Sequence, residues 1–102
     1  MKFVAIGDFG YYCKNQRILL EQVERYDPDF ILSLGDNNYP TGSLDTFDKN
    51  LGPYLLQQIF ENKFFPVLGN HDWYTYSLQF NEKTPHVYRI KFGRPNYYDF
   101  VK

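Results

Sequence analysis

The chain is poor in the features that hold many small proteins together or attach them to something larger. It has a single cysteine, Cys13, which excludes an internal disulfide and any multi-cysteine zinc site and fits a reducing compartment. No apolar run exceeds about five residues, far below the ~20 that span a bilayer, so no membrane partner is expected. Neither sign of charge dominates: 11 Lys and Arg face 12 Asp and Glu, a formal net charge of -1. The bases are scattered rather than striped, which argues against nucleic acid as the primary partner. "MKFVAIGD" runs straight into a strand pattern with no signal-peptide core, so the expected location, if the chain is complete, is cytoplasmic. No internal repeat, low-complexity tract or linker is evident, and 102 residues allow one small domain of marginal stability.

What the chain has instead is a repeated grammar: an apolar stretch that turns abruptly polar after a glycine. "FVAIGDFG" runs into Gly7 and Asp8, "FILSLGDNNYP" into Gly35 and Asp36, and "FFPVLGNHDWY" into Gly69, Asn70, His71 and Asp72. The apolar parts are continuous rather than alternating, as in parallel strands covered on both faces: residues 2–6, 30–34 and 65–68. Between the first two, Leu19, Val23 and Tyr26 recur at helical spacing, and "YDPD" ends that helix. Between the second and third, Ser43 is the expected cap, Gly52 and Pro53 interrupt, and Leu55, Ile59 and Phe60 form the expected buried stripe. "HVYRIKF", "GRPN" and "YYDFV" read as an antiparallel hairpin over residues 86–102. The predicted class is α/β: a βαβαβ unit with a C-terminal β-hairpin.

In open α/β sheets the ligand crevice lies beyond the carboxyl ends of the strands, so Asp8, Asp36, Asn70 and His71 converge if the three strands are neighbours. The glycine before each loop lets the chain turn sharply and leaves room for a ligand. Two carboxylates brought together either take up a proton or hold a cation between them. Oxygen donors such as Asp8, Asp36 and the Asn70 amide favour hard ions. Tyr39, three residues after Asp36, adds a phenol whose deprotonation near neutral pH requires a strongly Lewis-acidic ion such as ferric iron.

Each signal alone has a plainer explanation. An Asp after a strand is often the cap of the next helix, and turn chemistry accounts for Asn37, Asn38, Pro40 and Gly42. With 21% aromatic residues, Tyr39 alone reads as a packed ring. "GNHD" is the sharper signal, because a bland turn rarely needs Asn, His and Asp in succession. His86 has no partner motif, and Cys13 reads as a small apolar packer.

In combination and in this order, "GDFG", "GDNNYPTG" and "GNHDWY" resemble the first three metal motifs of the calcineurin-like metallophosphoesterases. Gly10 stands where many members carry a metal-binding His. A Gly-Asp-x-x-Tyr second motif accompanies that change in the purple acid phosphatases, and the small tartrate-resistant type is most similar in its second motif. "RPNYYDF" resembles the Pro-x-x-Tyr-Tyr strand that follows the third motif there.

The resemblance implies a sandwich of two mixed sheets flanked by helices, of which residues 1–102 would encode a partial domain, the first half. It also implies a dinuclear centre of ferric iron and a divalent ion (iron, zinc or manganese). Asp8 and Tyr39 would bind the ferric ion, Asp36 would bridge both, and Asn70 would bind the divalent ion. His71 would contact the phosphoryl group or protonate the leaving alkoxide, with Asp72 orienting it. The implied substrate is a phosphomonoester, either a small molecule or a phosphoprotein.

The family completes this site with histidines from Val-x-x-His and Gly-His-x-His motifs. Neither occurs here, where His71 and His86 are the only histidines. Two readings of the resemblance follow. One is an enzyme half whose missing ligands come from residues beyond this chain; the other is an inactive remnant with a weak metal site that acts as a binding module. Either leaves a sheet face for self-association or for a missing C-terminal half. A receiver-like magnesium pocket is the third reading, and it lacks the lysine such a pocket needs at a strand end.

Overall fold

The computed structural model describes residues 1–78 and 91–92. Three strands alternate with helices: β1 (Phe3–Ile6), α1 (Lys14–Tyr26), β2 (Phe30–Ser33), α2 (Leu44–Phe60), β3 (Phe64–Phe65) and α3 (Asn70–Leu78). The sheet is parallel in the order β1-β2-β3, with Phe3 opposite Phe30, Ile6 opposite Ser33 and Ile31 opposite Phe64. This is the βαβαβ unit expected of the first half of the sandwich. β3 lies earlier than its apolar run suggested, because Pro66 has no N–H to extend the ladder. The hairpin expected over residues 86–102 lies outside the described residues except at Lys91 and Phe92, which are helical. No helix among the described residues is long and apolar enough to cross a membrane.

Alternation along the strands sorts the sheet into two faces. Ile6, Ile31 and Phe64 join Leu20 and Val23 of α1 and Phe47, Leu51 and Leu55 of α2 in one core. The opposite face carries an aromatic row, in which Phe3 stacks on Phe30 with centroids 5.2 Å apart and Phe30 meets Phe65 edge-on at 6.0 Å. Phe92 closes on the core, 5.3 Å from Phe47 and 5.7 Å from Phe64.

The helices depart from the expected stripes. In α1 the buried residues are Gln16, Leu20 and Val23, while Tyr26 is exposed. α1 ends at Asp27, left-handed at φ 54°, whose N–H closes on the carbonyls of Val23 and Glu24, and Lys2 Nζ donates to the Tyr26 carbonyl at 2.6 Å. In α2 the interruption falls where expected: Gly52 has φ 78° and ψ 170°, and Pro53 starts the second segment. That bend re-phases the helix, so Phe47, Leu51 and Leu55 are buried and Phe60 is 86% exposed. Ser43 does hold the N-cap position, but its hydroxyl makes no cap bond and lies 3.3 Å from the Thr46 hydroxyl.

Candidate active site

All three loops leave the carboxyl edge of the sheet, and the first two are stitched together by main-chain bonds. Leu34 N–H donates to the Ile6 carbonyl at 2.8 Å, Asp8 N–H to Gly35 at 3.1 Å, Gly10 N–H to Asp36 at 3.1 Å, and Tyr39 N–H to Gly10 at 2.8 Å. The pairing of β1 with β2 therefore continues past the strands into the loops. Asp8 and Asp36 occupy equivalent positions and both have φ 54°. An Asp tolerates this left-handed conformation better than most residues. Gly69 is required for space: a Cβ there would lie 2.3 Å from the Asp36 N and Oδ1.

The two carboxylates meet at one phenol. Tyr39 Oη lies 3.2 Å from Asp36 Oδ2 and 3.5 Å from Asp8 Oδ1, and a phenol has one proton to give. Loss of water around the ring, then the charges of Asp36 and Asp8, push the Tyr39 pKa up to about 12. Asn70 and His71 bear on the same Asp36. In the orientation its hydrogen bonds select, the Asn70 amide nitrogen donates to Asp36 Oδ1 at 3.3 Å and to Oδ2 at 3.2 Å, and its oxygen accepts from Tyr74 at 3.0 Å. His71 N–H donates to Asp36 Oδ1 at 2.9 Å. The imidazole packs against Tyr39, centroids 4.4 Å apart, with Nδ1 2.7 Å from the Pro40 carbonyl. A carbonyl only accepts, so Nδ1 carries the proton and Nε2 is the nitrogen left for chemistry.

Asp8, Asp36, Tyr39, Asn70 and His71 are thus brought together. Among the described residues no three of His, Cys, Asp and Glu form a metal cluster; the donor set here is two carboxylates, a phenol and an amide. Such a set suits a hard cation, which would satisfy both carboxylates where one shared phenolic proton does not.

Residues 1–102 match the family model of the calcineurin-like phosphoesterases. The chain belongs to that family. It is 30% identical to tartrate-resistant acid phosphatase type 5 of Mus musculus, covering 93% of this chain and 36% of the relative. It is 36% identical to the Sus scrofa protein of the same description, over 72% of this chain and 24% of the relative. Purple acid phosphatase 17 of Arabidopsis thaliana is 33% identical, again over 72% and 24%. The phosphoesterase chain therefore spans between 24% and 36% of the length of these curated relatives. No solved structure matches it.

Asp72 has a different place from the one its adjacency to His71 suggested. Successive residues of a helix point about 100° apart, so neighbours do not face each other. Its buried carboxylate accepts the N–H groups of Asn37 at 3.0 Å, Asn38 at 3.1 Å and Gly69 at 2.9 Å, as well as the Asn37 amide at 3.0 Å. It caps α3 and ties the third loop to the second. Burial pushes its pKa up, the bonds from Gly69 and Asn37 pull it down, and Asp36 adds to the rise.

The turn-forming asparagines also prove to be more than turn formers. Asn37 donates to the Val67 carbonyl at 2.7 Å and meets the Ser33 hydroxyl. Asn38 Oδ1 accepts from Thr46 at 2.7 Å and Asn50 at 2.9 Å. Asn50 in turn donates to the Tyr39 carbonyl at 2.6 Å and accepts the Tyr12 N–H at 3.0 Å, while Gln16 donates to Phe9 at 2.9 Å and to Asn50. These buried amides hold Tyr39 in position. The available signal was polarity in the wrong place: Gln16 and Asn50 sit beside core residues on otherwise apolar helix faces.

Proposed function

We propose that this chain forms the first part of the active site of a metal-dependent phosphomonoester hydrolase of the acid phosphatase type. The observation that carries the reading is the Tyr39 phenol lodged between Asp36 and Asp8. Calcineurin-like and purple acid phosphatase families generally use a dinuclear metal centre. In this reading Asp8 and Tyr39 would hold ferric iron, Asn70 would hold a divalent ion (iron, zinc or manganese), and Asp36 would contribute to both. When bound, such a pair supplies Lewis acidity toward a phosphoryl oxygen and lowers the pKa of water.

The chain's own groups do the positioning and the proton work. The His71 main chain is pinned to Asp36 and its Nδ1–H to Pro40, so Nε2 has a fixed direction toward the departing alkoxide of a phosphomonoester, to which the imidazolium form, with a proton on each ring nitrogen, would give its Nε2 proton. Tyr39 packs on the imidazole and restricts its rotation. The substrate class is a phosphomonoester, small molecule or phosphoprotein; no nucleic acid or membrane enters the reading.

Two histidines in 102 residues leave the divalent side with Asp36 and Asn70 alone, so we infer that further ligands come from residues outside this chain. The same shortage favours a second reading, a non-catalytic remnant that acts as a binding module. One assay separates them. Alone with ferric and divalent ions, the chain should hydrolyse an activated aryl phosphate barely above free metal, because an ion held by one shared carboxylate and one amide is not fixed. Addition of a second polypeptide carrying the histidine-bearing remainder of a relative should produce turnover that Asp36→Asn and His71→Ala abolish. No turnover under either condition, with metal binding intact, supports the remnant.

A further inference from the structure

Tyr74, in α3, touches two residues of the proposed site and takes no part in the chemistry proposed for them. Residues three and four apart on a helix share a face, and Tyr74 stands in that relation to His71 and Asn70. Its hydroxyl lies 3.0 Å from the Asn70 carboxamide. Its ring meets the His71 imidazole edge-on, with centroids 4.9 Å apart. The Asn70 carboxamide thus has two kinds of partner: the Asp36 carboxylate oxygens at 3.2 and 3.3 Å, and the Tyr74 hydroxyl. A carboxylate only accepts, so Asp36 selects the amide NH2 and turns the amide oxygen toward Tyr74. That is the wrong way round for the role proposed for Asn70, since a hard cation is held by the amide oxygen and not by its NH2.

We infer that Tyr74 is a positioning residue on which Asn70 turns over: the carboxamide rotates by half a turn when an ion joins Asp36, and the Tyr74 hydroxyl changes from donor to acceptor. The inference rests on the phosphoesterase reading and adds a residue to its site. A phenol both gives a proton and accepts one, so it serves either orientation. Its O–H donates to the Asn70 oxygen in the first, and its oxygen accepts the Asn70 N–H in the second. The distances suit the exchange. After the turn the amide oxygen stands where the nitrogen stood, 3.2 and 3.3 Å from the Asp36 oxygens. Two oxygens bound at right angles to one ion at ~2.1 Å lie about 3.0 Å apart. Without a cation those oxygens repel, and a positive charge among them reverses the preference. Rotation about the last torsion of the Asn70 side chain is sufficient, and Asp36 stays held by the His71 N–H at 2.9 Å.

Nuclear magnetic resonance on the isotope-labelled chain tests this without turnover. Zinc is added with gallium(III) as a diamagnetic substitute for ferric iron, and binding is followed independently by calorimetry. The Asn70 NH2 protons, assigned by their loss in Asn70→Asp, should show a nuclear Overhauser contact to the Tyr74 ring with zinc bound and none without it. Tyr74 is 41% exposed, so water replaces its hydroxyl at little cost to the fold, and Tyr74→Phe should keep the native urea midpoint. The ring that meets His71 also remains, so the imidazole signals should stay in place, while zinc binding weakens about tenfold. If zinc binds and Asp36→Asn weakens it, yet the Asn70 contacts are the same with and without metal, or Tyr74→Phe binds as tightly as the native chain, the inference fails and the phosphoesterase reading survives. If zinc does not bind, or binds regardless of Asp36→Asn, that reading falls and this inference falls with it.

Discussion

Gly10 shows how a single missing side chain decides which version of the site this chain builds. A Cβ at Gly10 would lie 2.1 Å from the Asn37 carbonyl carbon and 2.4 Å from the Asn38 nitrogen, all main-chain atoms that cannot swing aside. The position where many family members carry a histidine is here sealed by the second loop, and Tyr39 is carried by that same loop. Gly10→Ala should therefore separate the two loops and cost about 2 kcal/mol or more, seen as a lowered urea midpoint with an unchanged slope. An unchanged midpoint would mean the loops are not packed as described. Residue identities at the strand ends were readable because an apolar run ending in Gly-Asp or Gly-Asn-His has few bland explanations when it occurs three times. The role of Asp72 was not readable, since adjacency in a sequence says little about which group a helical side chain reaches.

At the scale of elements, the strands and the kink in α2 were legible from local chemistry, and the helix faces were not. The periodicity Leu19, Val23, Tyr26 has the right spacing but the wrong phase. The buried set is Gln16, Leu20 and Val23, and the burial of a glutamine is decided by the Phe9 and Asn50 carbonyls it reaches across space. α3 went unseen because "NHDWYTYSL" has no apolar stripe; it starts where Asp72 turns back to cap Gly69. That capping carboxylate is also the clamp between α3 and the second loop. Asp72→Ala strands several buried N–H groups and should cost on the order of 3 kcal/mol. Its raised pKa fixes the sign of the pH dependence. The folded chain holds the proton more tightly than the unfolded chain, so this contribution is fully present below the ordinary carboxylate range and is lost as pH rises through the raised value. Asp72→Asn should flatten that slope in urea titrations run across the acidic range; an unaltered slope would remove Asp72 as its origin.

At the scale of the whole molecule, the three-stranded sheet is the first half of a two-sheet architecture, and its outer face bears the aromatic row. In that row Phe30 and Phe65 are buried and Phe3, at the edge, is 52% exposed; Leu34 and Val67, beyond the ends of β2 and β3, are exposed too. A net charge of -1 offers little repulsion between copies. The chain should therefore associate, and sedimentation should show a concentration-dependent mass; a stable monomer at all concentrations would mean that this face is covered from within the chain. The central claim, that Asp8, Asp36 and Tyr39 make one ion site, has a direct optical test. Without an ion the Tyr39 phenol is pushed up to about 12 and keeps its proton at neutral pH, whereas ferric iron bound there must replace that proton. Titration of the chain with ferric iron should raise a visible tyrosinate charge-transfer band that is absent from Tyr39→Phe. A band that survives the substitution, or no band in the native chain, would contradict the account.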